Sequence, residues 1–188
     1  MNKKKNNIEI YDLTKMALLT ALMCVSAYIV IPLPFTPAML TAQTMVVNLV
    51  AFLLVPREAV ITMTAYMLIG LIGIPVFSGG VGGPGKLFGP TGGYIFSWIV
   101  AVWLMSWLKG KRYSLIRYCA VSILVGVPVI YVGGSIYMKF VTGMDWMGVL
   151  TAAVIPFIPL DIMKCVAAAV IAKPVLAADG YLRQAKAG

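Results

Sequence analysis

The chain has 188 residues, 61% of them hydrophobic and 11% charged, with a net charge of +9 and a mean hydropathy of +0.96. A soluble domain carries about 45–50% apolar residues, so this composition excludes a soluble globular protein and implies one integral membrane domain over 1–188. The basic residues sit at the ends of apolar runs rather than on one soluble face, which excludes a nucleic-acid partner.

A transmembrane helix needs roughly 20 apolar residues, and the chain divides into six predicted helices. The N-terminal MNKKKNNIEIYDLTK is basic, but no small-x-small cleavage site follows, so the first apolar run reads as a retained span over 15–31. Pro32, Pro34 and Pro37 are expected to end it. Within it, Ala17 and Ala21 form a small-xxx-small pair of the kind that lets helices approach closely in lipid. The second helix is predicted over 39–55, ended by Pro56, and opens on the polar residues Thr41, Gln43, Thr44 and Asn48. The third is predicted over 58–72, the fourth over 93–108 and the fifth, carrying Pro128, over 114–139. The sixth, over 148–173, holds Pro156 and Pro159 in its first half, which predicts a bent or broken segment. Cys24, Cys119 and Cys165 are three cysteines at wide spacing inside apolar runs, the pattern of free buried thiols rather than of a disulfide or metal site.

Charge sets the orientation. With the N-terminus in the cytoplasm, the inner loops and tails hold twelve lysines and arginines, and the outer loops hold only Lys86 and Lys139. That positive-inside bias predicts an all-α integral membrane fold of six transmembrane helices with both termini cytoplasmic. Residues 70–94, GLIGIPVFSGGVGGPGKLFGPTGGY, then form a long extracytoplasmic loop between the third and fourth helices, with ten glycines in twenty-five residues. Gly80–Gly85 satisfies G-x-G-x-x-G, and Gly80–Lys86 satisfies G-x-x-x-x-G-K. Neither is a phosphate loop: Leu87 stands where a Ser or Thr would hold magnesium, no strand precedes, and the predicted side is wrong for ATP. The segment reads instead as a lid over a ligand.

Asp161 and Lys164 fall near the middle of the predicted sixth helix. Each costs about 2.5–3.5 kcal/mol at the centre of a membrane helix. At i and i+3 they share a helix face, either as a self-neutralising pair that fixes packing or as a polar site facing a cavity. Intramembrane charge usually marks the second. Asp offers acceptors and Lys offers donors, which together complement N–H groups beside a carbonyl, as in an amide or cyclic urea. Thr41, Gln43, Thr44 and Asn48 are candidates for the same cavity or for interhelical hydrogen bonds, and Tyr66, Tyr94, Phe77 and Trp98 for an apolar wall.

Gly70, Gly73, Pro75-Val76-Phe77, Gly79-Gly80, Gly82-Gly83, Gly85 and Gly89-Pro90-Thr91-Gly92-Gly93-Tyr94 resemble the signature of BioY, the biotin-specific substrate-binding (S) components of energy-coupling factor (ECF) transporters. The resemblance covers nearly the whole chain and includes the Asp161–Lys164 pair. It implies a protein of the prokaryotic cell membrane that binds biotin on the extracytoplasmic side under covering loops and hydrolyses nothing itself. It implies partners too: a membrane T component and two ATPase subunits, which use the ATP, with Ala17 and Ala21 matching the docking motif. Biotin's ureido ring suits Asp161 and Lys164, with Thr41, Gln43, Asn48, Gly79, Gly80, Gly82, Gly83, Thr91 and Tyr94 as further candidate contacts. Its carboxylate would meet backbone N–H groups of the glycine loop, or Lys86. No cofactor or metal is expected. The alternative is a stand-alone secondary transporter or channel, against which the chain shows no internal repeat. With no histidine, one in-span carboxylate and no nucleophile–base pair, an intramembrane enzyme is not expected.

Overall fold

The computed structural model describes residues 9–32 and 39–185, with side chains through Gly180. The chain runs α1 (Ile10–Ser26), β1 (Val30–Ile31), β2 (Leu40–Thr41), α2 (Gln43–Leu53), α3 (Pro56–Leu71), α4 (Pro84–Leu87) and α5 (Gly92–Leu108). Then come α6 (Leu115–Val121), a π-helical turn (Ser122–Gly126), α7 (Val127–Thr142), α8 (Trp146–Ala153) and α9 (Ile158–Ala185).

The first helix lies five residues earlier than the predicted 15–31 at both ends. It stops at Ser26, short of Pro32, and the chain turns through Ala27–Ile29. Val30 and Ile31 then pair antiparallel with Thr41 and Leu40. The fold is therefore not purely α. The β-branched run Ile29-Val30-Ile31 suits an extended ribbon as well as a helix, and its partner strand decides the matter.

Local chemistry explains the other boundaries. Pro56 opens α3 at a position that needs no N–H, and the Glu58 carboxylate accepts from the Val55 N–H at 3.4 Å. Lys109 closes the other side of this turn: its ammonium donates to the carbonyls of Ala51, Phe52 and Leu54 at 2.9, 2.8 and 2.5 Å. These are orphan carbonyls at the C-terminus of α2. The π turn ends two residues before Pro128, whose missing N–H breaks the regular ladder. Asp145 caps α8 by accepting from Gly148 N–H at 3.0 Å.

The predicted sixth helix is broken, as its prolines suggested. α8 ends at Ala153, residues 154–157 turn, and α9 leaves at 48° to α8. Asp161 and Lys164 thus sit at the start of α9, with Asp161 in its first turn, and not at mid-helix. The N-terminal end of a helix dipole favours a carboxylate there.

α2 is buried almost all round by Val46, Val47, Leu49, Val50, Ala51 and Phe52, and it packs against α9, α5 and α1. α5 packs on α7 and α3. Phe52, Met63, Tyr66, Phe77 and Met105 are fully enclosed at the centre. Outside, Leu18, Val25, Trp103, Trp107, Ile116, Leu124, Phe140 and Met163 present large apolar side chains. Among the described residues, Leu115–Thr142 alone is a continuous helix long and apolar enough to cross a bilayer, and α8 with α9 qualifies as a broken pair. α2 and α5 are apolar but shorter, at 11 and 17 residues.

Candidate functional site

The start of α9 faces the start of α2 and the N-terminal half of α7, and a cluster of polar side chains meets there. The Asp161 carboxylate is nearly enclosed, with 8% side-chain exposure. Its Oδ1 accepts from the Lys164 ammonium at 3.0 Å and from the Thr44 hydroxyl at 3.0 Å. Its Oδ2 accepts from the Tyr131 hydroxyl at 2.7 Å. Lys164 also donates to Thr44 Oγ1 at 3.1 Å, so Lys164, Thr44 and Oδ1 close a three-membered ring of contacts. Three helices are pinned at one carboxylate.

A cavity of about 90 Å³ opens on this group. Asp161, Thr41, Gln43, Thr91 and Tyr94 line it, together with Trp98. Thr44, Ser78 and Tyr131 complete its polar wall, and Met39, Ile95, Ile130, Ala153 and Phe157 its apolar one. Asn48 lines a smaller adjoining cavity with Thr44, Tyr131, Asp161 and Cys165. There it donates to the Thr44 carbonyl at 2.9 Å and to Cys165 Sγ at 3.6 Å. Lys164 lines neither cavity; it stands behind the carboxylate. Tyr66 and Phe77 also lie off the wall, packed edge to face at 5.7 Å in the core. The Trp98 indole N–H is buried with no hydrogen-bond partner among the described residues.

The glycine-rich segment is a folded cover, not a slack spacer. Phe77 and Val81 form an isolated antiparallel bridge, and Gly83 N–H donates to the Gly70 carbonyl at 2.7 Å. Gly79 and Gly80 turn the chain at φ +82° and +69°, conformations L side chains rarely adopt. A Cβ on Gly82 would collide with the Ile74 carbonyl. Two ties hold the cover to the end of α1: the Tyr28 hydroxyl donates to the Pro75 carbonyl at 2.7 Å, and Gly79 N–H to the Ala27 carbonyl at 3.1 Å. A third runs inward, where Gln43 Nε2 donates to the Tyr66 hydroxyl at 2.5 Å and that hydroxyl to the Val76 carbonyl at 2.9 Å. Gly79, Gly80, Gly82 and Gly83 shape this cover without lining the cavity, which Ser78 and Thr91 reach. Lys86, in α4, also stays off the cavity, and burial lowers its ammonium from the usual lysine range.

Ala17 and Ala21 lie elsewhere. They line an apolar groove of about 460 Å³ between α1 and α3, opposite Ile61, Thr62 and Ala65.

Sequence reasoning missed Tyr131. It sits thirty residues from Asp161 inside a long apolar run, and only the reach of its hydroxyl from α7 to the start of α9 gives it a role. Thr44 was legible as a polar residue one turn before Asn48, but its bond to Asp161 was not.

A sequence model of the BioY family matches residues 1–180. The chain is 38% identical over 161 residues to the biotin transporter BioY2 of Lactococcus lactis subsp. cremoris, covering 85% of this chain and 87% of that one. It is 35% identical over 161 residues to the biotin transporter BioY of Thermotoga maritima, covering 86% and 93%. The fold matches the crystal structure of the S-component for biotin from an ECF-type ABC transporter with a TM-score of 0.84 at 27% identity, covering 92% of this chain and 94% of that one. A second S component of a bacterial ECF transporter shares the fold at a TM-score of 0.54 and 20% identity. The composition, the folded glycine cover and the matches along the whole chain agree: the chain belongs to the BioY family.

Proposed function

We propose that the protein is the biotin-binding S component of an ATP-driven ECF transporter in a prokaryotic cell membrane. The observation that carries this reading is the enclosed Asp161 carboxylate on the wall of a mixed polar and apolar cavity beneath a glycine-rich cover. Biotin is neutral at its ureido end, so it leaves the Asp161–Lys164 charges balanced. A ureido N–H donates to Asp161, while Lys164 orients that carboxylate from behind. The Trp98 N–H and the hydroxyls of Thr41 and Tyr94 offer donors for the ligand's acceptors, and Ile95, Ile130 and Phe157 offer the apolar wall its thiophane ring needs. Ser78 and Thr91, the residues of the cover on the cavity wall, offer hydroxyls to its carboxylate tail.

The cavity measures about 90 Å³. Small-molecule sites usually measure about 300–1,000 Å³. The glycine-rich cover therefore moves to admit ligand, which its glycine turns and few ties allow. In the membrane, the apolar exterior and the positive-inside charge pattern support six spans with both termini cytoplasmic and the cover extracytoplasmic. The α1–α3 groove, lined by Ala17 and Ala21, is the docking face for the membrane T component, and two ATPase subunits of the same assembly supply the energy. The chain itself performs no catalysis.

Calorimetric titration of the purified protein with biotin tests the reading. Binding tighter than micromolar is expected; the absence of a binding heat would overturn it.

A further inference from the structure

The carboxylate at the centre of the cavity is almost fully occupied before any ligand arrives. A carboxylate has about four lone-pair positions, two on each oxygen. Oδ1 fills both of its positions, with Lys164 and Thr44 each at 3.0 Å. Oδ2 fills one, with the Tyr131 hydroxyl at 2.7 Å. Tyr131 itself lines the cavity beside Asp161. One acceptor position therefore remains for a ligand.

We propose that Tyr131 is a specificity-determining residue: by capping Oδ2 it limits Asp161 to a single ligand N–H and so selects a urea edge over a fork of two N–H donors. The proposal rests on biotin being the ligand, with its ureido edge on Asp161, and adds what narrows the choice. Two physical effects follow from the same bond. The hydroxyl fixes the carboxylate plane, because charge-assisted hydrogen bonds are short and directional. With Oδ1 already filled by Lys164 and Thr44, it also leaves Oδ2 one open position instead of two, so a ligand finds room for one N–H and not for a pair. Tyr131 thus acts through Asp161 and is a positioning residue, and it acts from α7, a different element from either charged partner.

The test is calorimetric titration of the full-length protein with biotin and with its guanidino analogue, in which the ureido oxygen is replaced by nitrogen. Wild type, Tyr131→Phe, Asp161→Asn and the double variant are compared. Tyr131→Phe is expected to lower biotin affinity about tenfold, the effect of one hydrogen bond to a charged group. It is expected to lower the preference for biotin over the guanidino analogue at least fivefold. In the Asp161→Asn background the same change should alter biotin affinity less than twofold, because the group it acts through is gone. Equal weakening of both ligands, or the same loss in both backgrounds, would show that Tyr131 only packs and would overturn the proposal. If Tyr131→Phe does not fold, Tyr131→Leu serves the same comparison. A wild-type protein that does not bind biotin removes the proposed ligand and this proposal together, whereas normal binding with an unchanged preference in the variant removes this proposal alone.

Discussion

At the residue scale, the Asp161–Lys164 pair is a buried salt bridge whose value lies in what it holds in place. Desolvation cancels much of the attraction in such a pair, but removing one partner strands the other, at a cost of about 3–5 kcal/mol. Lys164→Ala is therefore expected to lower the thermal midpoint of the ligand-free protein and to weaken biotin binding at least a hundredfold, although Lys164 does not line the cavity. Thermal unfolding and titration on the same preparation check this; a variant with normal stability and normal binding would show the pair to be dispensable. Trp98 predicts the opposite sign. Its N–H is buried without a partner among the described residues, and an unsatisfied buried donor costs about 1–3 kcal/mol. Trp98→Phe should leave the unliganded thermal midpoint unchanged or higher while reducing the stabilisation that added biotin confers. A lower midpoint in both states would mean that the indole serves only to fill space.

At the scale of the element, the glycine-rich cover is fastened at few points. Tyr28 is more than half exposed, yet its hydroxyl reaches Pro75 at 2.7 Å. Loss of a bond worth about 1 kcal/mol changes an opening equilibrium roughly fivefold. Tyr28→Phe is expected to raise the association and dissociation rates of biotin about threefold to fivefold each, with Kd within twofold. Stopped-flow tryptophan fluorescence measures both rates, and an unchanged pair of rates would remove the latch. The cover also shows how far sequence reading reaches. Ten glycines in twenty-five residues announced a special loop, but they do not themselves line the cavity. They let the chain turn so that Ser78 and Thr91 do. The ribbon of Val30–Ile31 with Leu40–Thr41 was not legible, because apolar β-branched residues after a helix look like more helix until a partner strand is found. The break after α8 was legible, because Pro156 and Pro159 each remove a backbone donor within four residues.

At the scale of the whole molecule, the cavity and the α1–α3 groove are built from different parts of the bundle. The cavity draws on β2, α2, α5, α7, α8, α9 and the cover, and the groove on α1 and α3 alone. Binding and docking are thereby separable. Ala21→Trp should fill the groove and abolish biotin uptake by the assembled transporter while leaving biotin affinity of the isolated protein within twofold. Loss of both together would mean that the groove supports the cavity and not a partner.

The sequence by itself determined the solvent the chain is built for, its mostly helical class, the broken last segment and the identity of the charged pair. Each of these follows from local composition or from a residue type whose backbone chemistry is fixed wherever it stands. Tertiary structure alone decided which side of the carboxylate Lys164 occupies, that Tyr131 and Thr44 also bond to it, and that the glycines serve as a frame for two hydroxyls. Those relations join residues 30 and 117 positions apart in the chain, and a hydrogen bond depends on distance and direction in space, which no spacing along one helix or loop encodes.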